Sequence, residues 1–197
     1  VPANSLFDED SPYHTPAASD AWPTFDPEKA RQLIDEYRAS GGDPNFTFKT
    51  TTSRVAFAEF IQAQLAAVGV PIELEFYDLA QYSASVIQSN DFQLSTWVGE
   101  VNSAFPGVGR LLRSDGSGNH GRYSNPQVDQ LIDQARVTTD PAERTSLYQQ
   151  VELISGQDLA LAWFSRTYRS TIVRTEVNGI DRYPLGTTWF ATTWLDR

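Results

Sequence analysis

The sequence predicts an α/β fold with a mixed sheet flanked by helices. Three observations predict it. Runs rich in β-branched and aromatic residues recur at FTFKTT (46–51), VPIELEFY (70–77) and FQLSTW (92–97). Helix-period segments separate them, and two more follow. Strands joined through helices pair parallel by right-handed crossovers, so their carboxyl ends share one edge, where ligands gather in such sheets.

The elements follow in order. Residues 1–25 are punctuated by Pro2, Pro12, Pro16 and Pro23, and no helical or strand period survives there. Asp26-Pro27 then supplies an N-cap and a first-turn proline, with Ala30, Leu33, Ile34 and Tyr37 on one face and Gly41-Gly42 as the stop. Ser53 is the expected cap of the next helix, whose stripe is Phe57, Phe60, Ile61, Leu65 and Val68, ended by Gly69. Asp78 with Gln81 gives a capping-box pattern for a third helix up to about Gln88. Residues 99–125 read as loop, with LLR (111–113) the only apolar piece.

Asn125-Pro126 and Asp140-Pro141 open two further helices, carrying Val128, Leu131, Ile132 and Ala135, then Leu147, Val151 and Ile154. LALAWFS (159–165) and RSTIVRT (169–175) are strand-like, and the tail ends in TTWFATTWLDR. Phe46, Phe57, Phe60, Phe76, Trp163 and Phe164 fall at expected core positions. The predicted organisation is an irregular arm over 1–25, a lobe over 26–175 and a tail over 176–197.

Composition narrows the function classes. The chain is 40% hydrophobic and 12% aromatic, as a packed domain requires. No apolar run approaches the roughly 20 residues of a membrane span. Cysteine is absent, which excludes disulfides and thiol chemistry. The net charge is −10 and only Lys29 and Lys49 are lysines, so a nucleic-acid partner is not expected. Methionine is absent even at position 1, and a processed or excised piece is the expectation.

Candidate chemistry is sparse. Glu73 and Glu75 share a strand face, where solvated carboxylates are the ordinary arrangement. His14 and His120 make neither a metal-ligand spacing nor a triad, so no metal, cofactor or catalytic set is expected. The strand 92–97 runs into Trp97 and Glu100. Trp97 reads equally as core or as a stacking platform. Glu100 reads as an acid/base residue of a hydrolase, as part of a ligand-grasping loop, or as a plain strand end.

At FDPEKARQLIDE, FAEFIQAQLAAVGVPIELEFYDLAQY, NDFQLSTW, GRYSNPQVDQLIDQAR and TTDPAERTSLYQQVELISGQDLALAWF, in that order, the chain resembles a known family over about residues 24–180. It is similar to the C-terminal lobe of extracytoplasmic solute-binding proteins of family 5, the peptide-, dipeptide- and nickel-binding components of ABC importers. The resemblance implies one lobe of a two-lobed, type II periplasmic-binding-protein-like fold that closes on a small solute or peptide without chemistry. It implies a missing N-terminal lobe and ABC permease subunits as partners. The implied location is extracytoplasmic, in the periplasm or as a cell-surface lipoprotein. A sensor domain built on the same lobe is the alternative.

In the family's peptide binders an acidic residue after this strand pairs with the ligand's ammonium. Ungapped alignment puts Asn102 there and Gly99 at the usual tryptophan, and that departure leaves the ligand class open. The expected ligand-binding residues are Asn102 and Glu100 from this alignment and Trp97, Ser53 and Arg54 from their places after strand ends, with the loop over 115–123 as a candidate further rim.

Overall fold

The computed structural model describes residues 2–98, 101, 104–167, 170–182 and 188–196. Its contacts divide the chain into two compact units. A sheet unit spans Pro23–Val98, and a helical unit joins Val1–Trp22 to Gly99–Arg197. The leading stretch of the helical unit carries a short helix, α1 (Pro16–Asp20).

In the sheet unit, α2 (Pro27–Ala39) starts where the Asp26 carboxyl accepts the Lys29 N–H at 2.9 Å. It ends at Gly41, whose φ of +89° lies in the left-handed region that favours glycine. β1 (Thr47–Thr51) passes through a 3-10 turn (Thr52–Arg54) into α3 (Val55–Ala67). β2 (Glu73–Tyr77) leads through α4 (Leu79–Gln81) and a π-helical turn (Tyr82–Ile87) to β3 (Leu94–Ser95). The strand order is β2-β1-β3, parallel throughout, with Phe48 opposite both Leu74 and Leu94.

One face of the sheet, at Phe48 and Leu74, packs on Ala58, Ile61 and Leu65 of α3 and on Ile34 of α2. The Phe57 ring stands edge-on to Phe48 at 6.3 Å. Alternation turns Tyr77 to the opposite face, where it meets Tyr82, Val86 and Ile87.

Three details differ from expectation. Ser53 Oγ bonds Thr51 Oγ1 at 2.9 Å, and α3 has Arg54 at its N-cap with no side-chain cap bond. Phe60 is 52% exposed because Ala58, not Phe60, completes the buried stripe with Phe57, Ile61 and Leu65. Phe76, at the end of an edge strand, is exposed as well.

The helical unit packs α5 (Ala104–Leu112), α6 (Pro126–Val137) and α7 (Pro141–Gln157). Asn125 and Asp140 cap the last two through the Gln127 and Ala142 N–H groups. The core joins Val108, Leu111 and Leu112 of α5 to Val128 and Ile132 of α6 and to Tyr148 and Val151 of α7. The stretch expected to be loop thus contains a helix. Pro106, Gly107 and Gly109 disguise it, although Val108, Leu111 and Leu112 already carry the i, i+3, i+4 period.

The residues expected to form an irregular arm are built into this core. Leu6 and Phe7 are fully buried in it. Glu152, with a wholly buried side chain (0% exposed), accepts the Phe7 N–H at 2.8 Å and the Thr15 N–H at 2.6 Å. The same carboxyl meets His14 Nδ1 at 3.2 Å. Arg166 grips from the other side, donating to the carbonyls of Ser5, Leu6 and Phe7.

The stretches expected as strands over 159–165 and 169–175 make none among the described residues. Leu161 and Trp163 turn onto the helical core, Phe164 is exposed, and the backbone offers one antiparallel bridge, Ser165 to Pro2. Tyr168 and Arg169 lie outside the described residues.

Beyond them, β4 (Val177–Asn178) pairs with β7 (Trp194–Leu195), and β5 (Asp181–Arg182) with β6 (Thr188–Trp189), both antiparallel. The α/β class holds. Parallel and antiparallel ladders coexist in the chain but occupy separate sheets among the described residues. No described helix is long and apolar enough to cross a membrane.

Candidate functional site

The sheet unit's carboxyl edge carries three of the candidate residues, Ser53, Arg54 and Trp97. Ser53 and Arg54 lie in the 3-10 turn directly after β1, and Trp97 lies two residues after β3. Because β1 and β3 are parallel neighbours, with Lys49 opposite Ser95, both segments leave the sheet at the same edge. Trp97 is 52% exposed, which removes the core reading of that side chain. Glu100 and Asn102 lie outside the described residues.

Hydroxyl groups hold the two segments in step. Thr50 Oγ1 and Thr96 Oγ1 are 2.8 Å apart. The Ser95 hydroxyl donates to the Lys49 carbonyl at 2.9 Å. The Tyr82 hydroxyl accepts the Thr96 N–H at 3.1 Å and also bonds the Thr96 carbonyl and Ser95 Oγ. Thr50 and Tyr82 are buried, so these bonds form where water competes least, and a satisfied buried network fixes its parts. The sequence names the rim loops but gives no sign of Tyr82 as the residue that pins the start of one of them.

Nearby charges are ordinary surface pairs. Lys49 Nζ meets Asp91 at 2.9 Å. That bond raises the Lys49 pKa above its usual value. Glu75 accepts the Tyr77 hydroxyl at 2.6 Å, and both Glu73 and Glu75 are exposed on the edge strand β2. Among the described residues no group of three or more His, Cys, Asp or Glu could hold a metal ion.

The 115–123 loop belongs to the helical unit and is tightly folded. Asn119 Nδ2 donates to the carbonyls of Arg113 and Tyr123, and its Oδ1 accepts the Tyr123 N–H. A Cβ at Gly116 would stand 2.5 Å from the Arg110 carbonyl oxygen, so only glycine fits. Arg113 binds Asp115 at 2.8 Å and also Asp133. These hydrogen bonds hold both carboxyls below the ordinary carboxylate value of 3.8.

A lowered folded pKa stabilises above the unfolded value, and the contribution disappears as pH falls through the folded one. Acid titration is therefore expected to loosen this loop below about pH 4. Arg113→Gln is expected to return both carboxyl midpoints, read by carbon-13 NMR, toward the ordinary range. Unchanged midpoints in that variant would refute the pairing.

Comparison with known proteins places the chain. The family profile described as "Bacterial extracellular solute-binding proteins, family 5 Middle" matches residues 1–119. Di/tripeptide-binding protein 4 of Pseudomonas aeruginosa is 29% identical over 186 residues, covering 87% of this chain and 34% of that protein. The glutathione-binding protein GsiB of Shigella dysenteriae is 32% identical over 154 residues, covering 70% of this chain and 29% of GsiB. The chain thus spans about a third of these relatives' length. Among solved structures, the dipeptide binding protein from Pseudoalteromonas sp. SM9913 in complex with Met-Leu superposes with a TM-score of 0.76. The match is 22% identical and covers all of this chain and 40% of that one.

Proposed function

This chain belongs to the bacterial extracellular solute-binding proteins of family 5, and on that premise we propose that it is one lobe of an ABC importer's receptor for short peptides or a related small solute. The observation that supports this most is the pairing of β1 with β3, which brings Ser53, Arg54 and Trp97 to one sheet edge. Glu100 and Asn102 follow Trp97 in the chain and complete the proposed ligand-binding set. The relatives named for peptide and glutathione binding support the ligand class.

The mechanism is burial without chemistry. An exposed indole and a guanidinium on one lobe meet the solute, and a second lobe closes over it. The solute stabilises the closed form by the contacts that only that form makes. The second lobe, permease subunits and an extracytoplasmic location complete the proposal. The segment over 1–25 joins that other lobe, and the tail over 176–197 returns to it.

Calorimetry on the intact two-lobed protein tests the reading. Di- and tripeptides are expected to bind, and Trp97→Ala to weaken binding about tenfold through lost stacking. The 197-residue chain alone supplies half the contacts and is expected to bind the same peptides weakly or undetectably. Micromolar binding by the isolated chain, or an intact protein indifferent to Trp97→Ala, would count against it.

A further inference from the structure

We propose that the helical unit holds a second binding site, for a small organic carboxylate with an apolar body, independent of the importer reading. A half-open groove of about 580 Å³ lies where α5, the α6–α7 connection and the leading stretch meet. Small-molecule sites commonly measure roughly 300–1,000 Å³. Tyr148 and Ala135, both buried, line its floor, with Tyr13 beside them. Arg136, Arg144 and Phe105 line it toward the surface.

The charge of this lining runs against that of the molecule. The chain carries a net −10, yet two guanidiniums and no carboxyl line the groove among the described residues. Arg144 spends Nη2 on the Thr138 carbonyl at 2.6 Å, which fixes the side chain and leaves Nε and Nη1 as donors. Arg136 lies 3.3 Å from Asp133, outside the lining, and its guanidinium stands 5.8 Å from the Phe105 ring centroid. Asp133 is itself bonded to Arg113, so its charge is shared.

The second observation is a polar group without a partner. Tyr148 is 1% exposed, its ring packed against Phe7 and Tyr13, and no described residue bonds its hydroxyl. Burial raises its pKa above 10, so the hydroxyl stays a neutral donor. The hydroxyl opens into the groove rather than being sealed off, so an anion there can accept from it in water's place. A carboxylate accepting from Tyr148 and Arg144 would seat its apolar part against Phe105 and Ala135. The apolar share of the lining favours an organic carboxylate over inorganic phosphate.

Fluorine NMR of 4-fluorophenylacetate mixed with the 197-residue chain tests the site. Saturable line broadening is expected, with 4-fluorophenylacetamide at least about tenfold weaker because it lacks the charge. Tyr148→Phe keeps the ring in the core and is expected to weaken binding about tenfold, as is Arg144→Gln. No saturation, equal binding of the amide, or binding untouched by both substitutions would overturn the proposal. The amide comparison needs no variant, so it stands even where a substitution impairs folding. Peptide binding is read on the two-lobed protein and this probe on the single chain, so the two readings fail separately.

Discussion

Glu152→Ala is expected to lower the unfolding free energy by about 3 to 5 kcal/mol, enough to threaten folding altogether. The side chain is wholly buried and accepts two backbone N–H groups, from Phe7 and Thr15, as well as meeting His14. Alanine leaves those donors facing an apolar hole, and an orphaned buried donor costs about 1–3 kcal/mol. Gln149 also donates to the His14 carbonyl at 3.2 Å, so the grip weakens without disappearing. Glu152→Gln keeps the shape but turns an NH₂ group toward one of the donors, and its loss is expected to fall between wild type and alanine. Urea unfolding checks the order, and amide exchange at Phe7 and Thr15 checks the place. Protection at those two amides equal to wild type in Glu152→Ala would discard this account of the leading stretch.

Phe48→Ala is the second large effect, expected to destabilise the sheet unit by about 3–5 kcal/mol. Phe48 is 1% exposed on the central strand and touches the residues on which three elements converge: Ala58 and Phe57 of α3, Leu74 of β2 and Leu94 of β3. Hydrogen exchange in β1 and β2 should accelerate first. Phe60→Ala, on the same helix but half exposed, is the matched control and should cost well under half as much. Equal losses from the two substitutions would show that the burial has been misassigned.

Much of this was legible from short-range chemistry. Asp26, Asn125 and Asp140 announce helix starts because each acceptor sits two or three residues from the N–H it caps. The parallel pairing of β1 and β2 follows from the helix between them. What stayed hidden depends on partners far along the chain. Glu152 lies in phase with Tyr148 on the buried stripe of α7, which was the available signal, but its donors are 137 and 145 residues away. Pro106, Gly107 and Gly109 masked α5, whose stability comes from the helices it packs against rather than from propensity.

The candidate rim was partly readable, since residues after neighbouring parallel strands must share an edge. Its buried scaffold, Tyr82 and the Thr50–Thr96 pair, was not, because hydroxyl pairings leave no periodic trace.

The discontinuous make-up of the helical unit bears on biosynthesis. Residues 23–98 form one continuous stretch of chain, so their contacts need no residue translated later. Phe7 is translated 145 residues before its carboxyl acceptor, Glu152. Until then Leu6 and Phe7 lack the core that buries them, and completing the helical unit closes a very long loop, with its logarithmic entropy penalty.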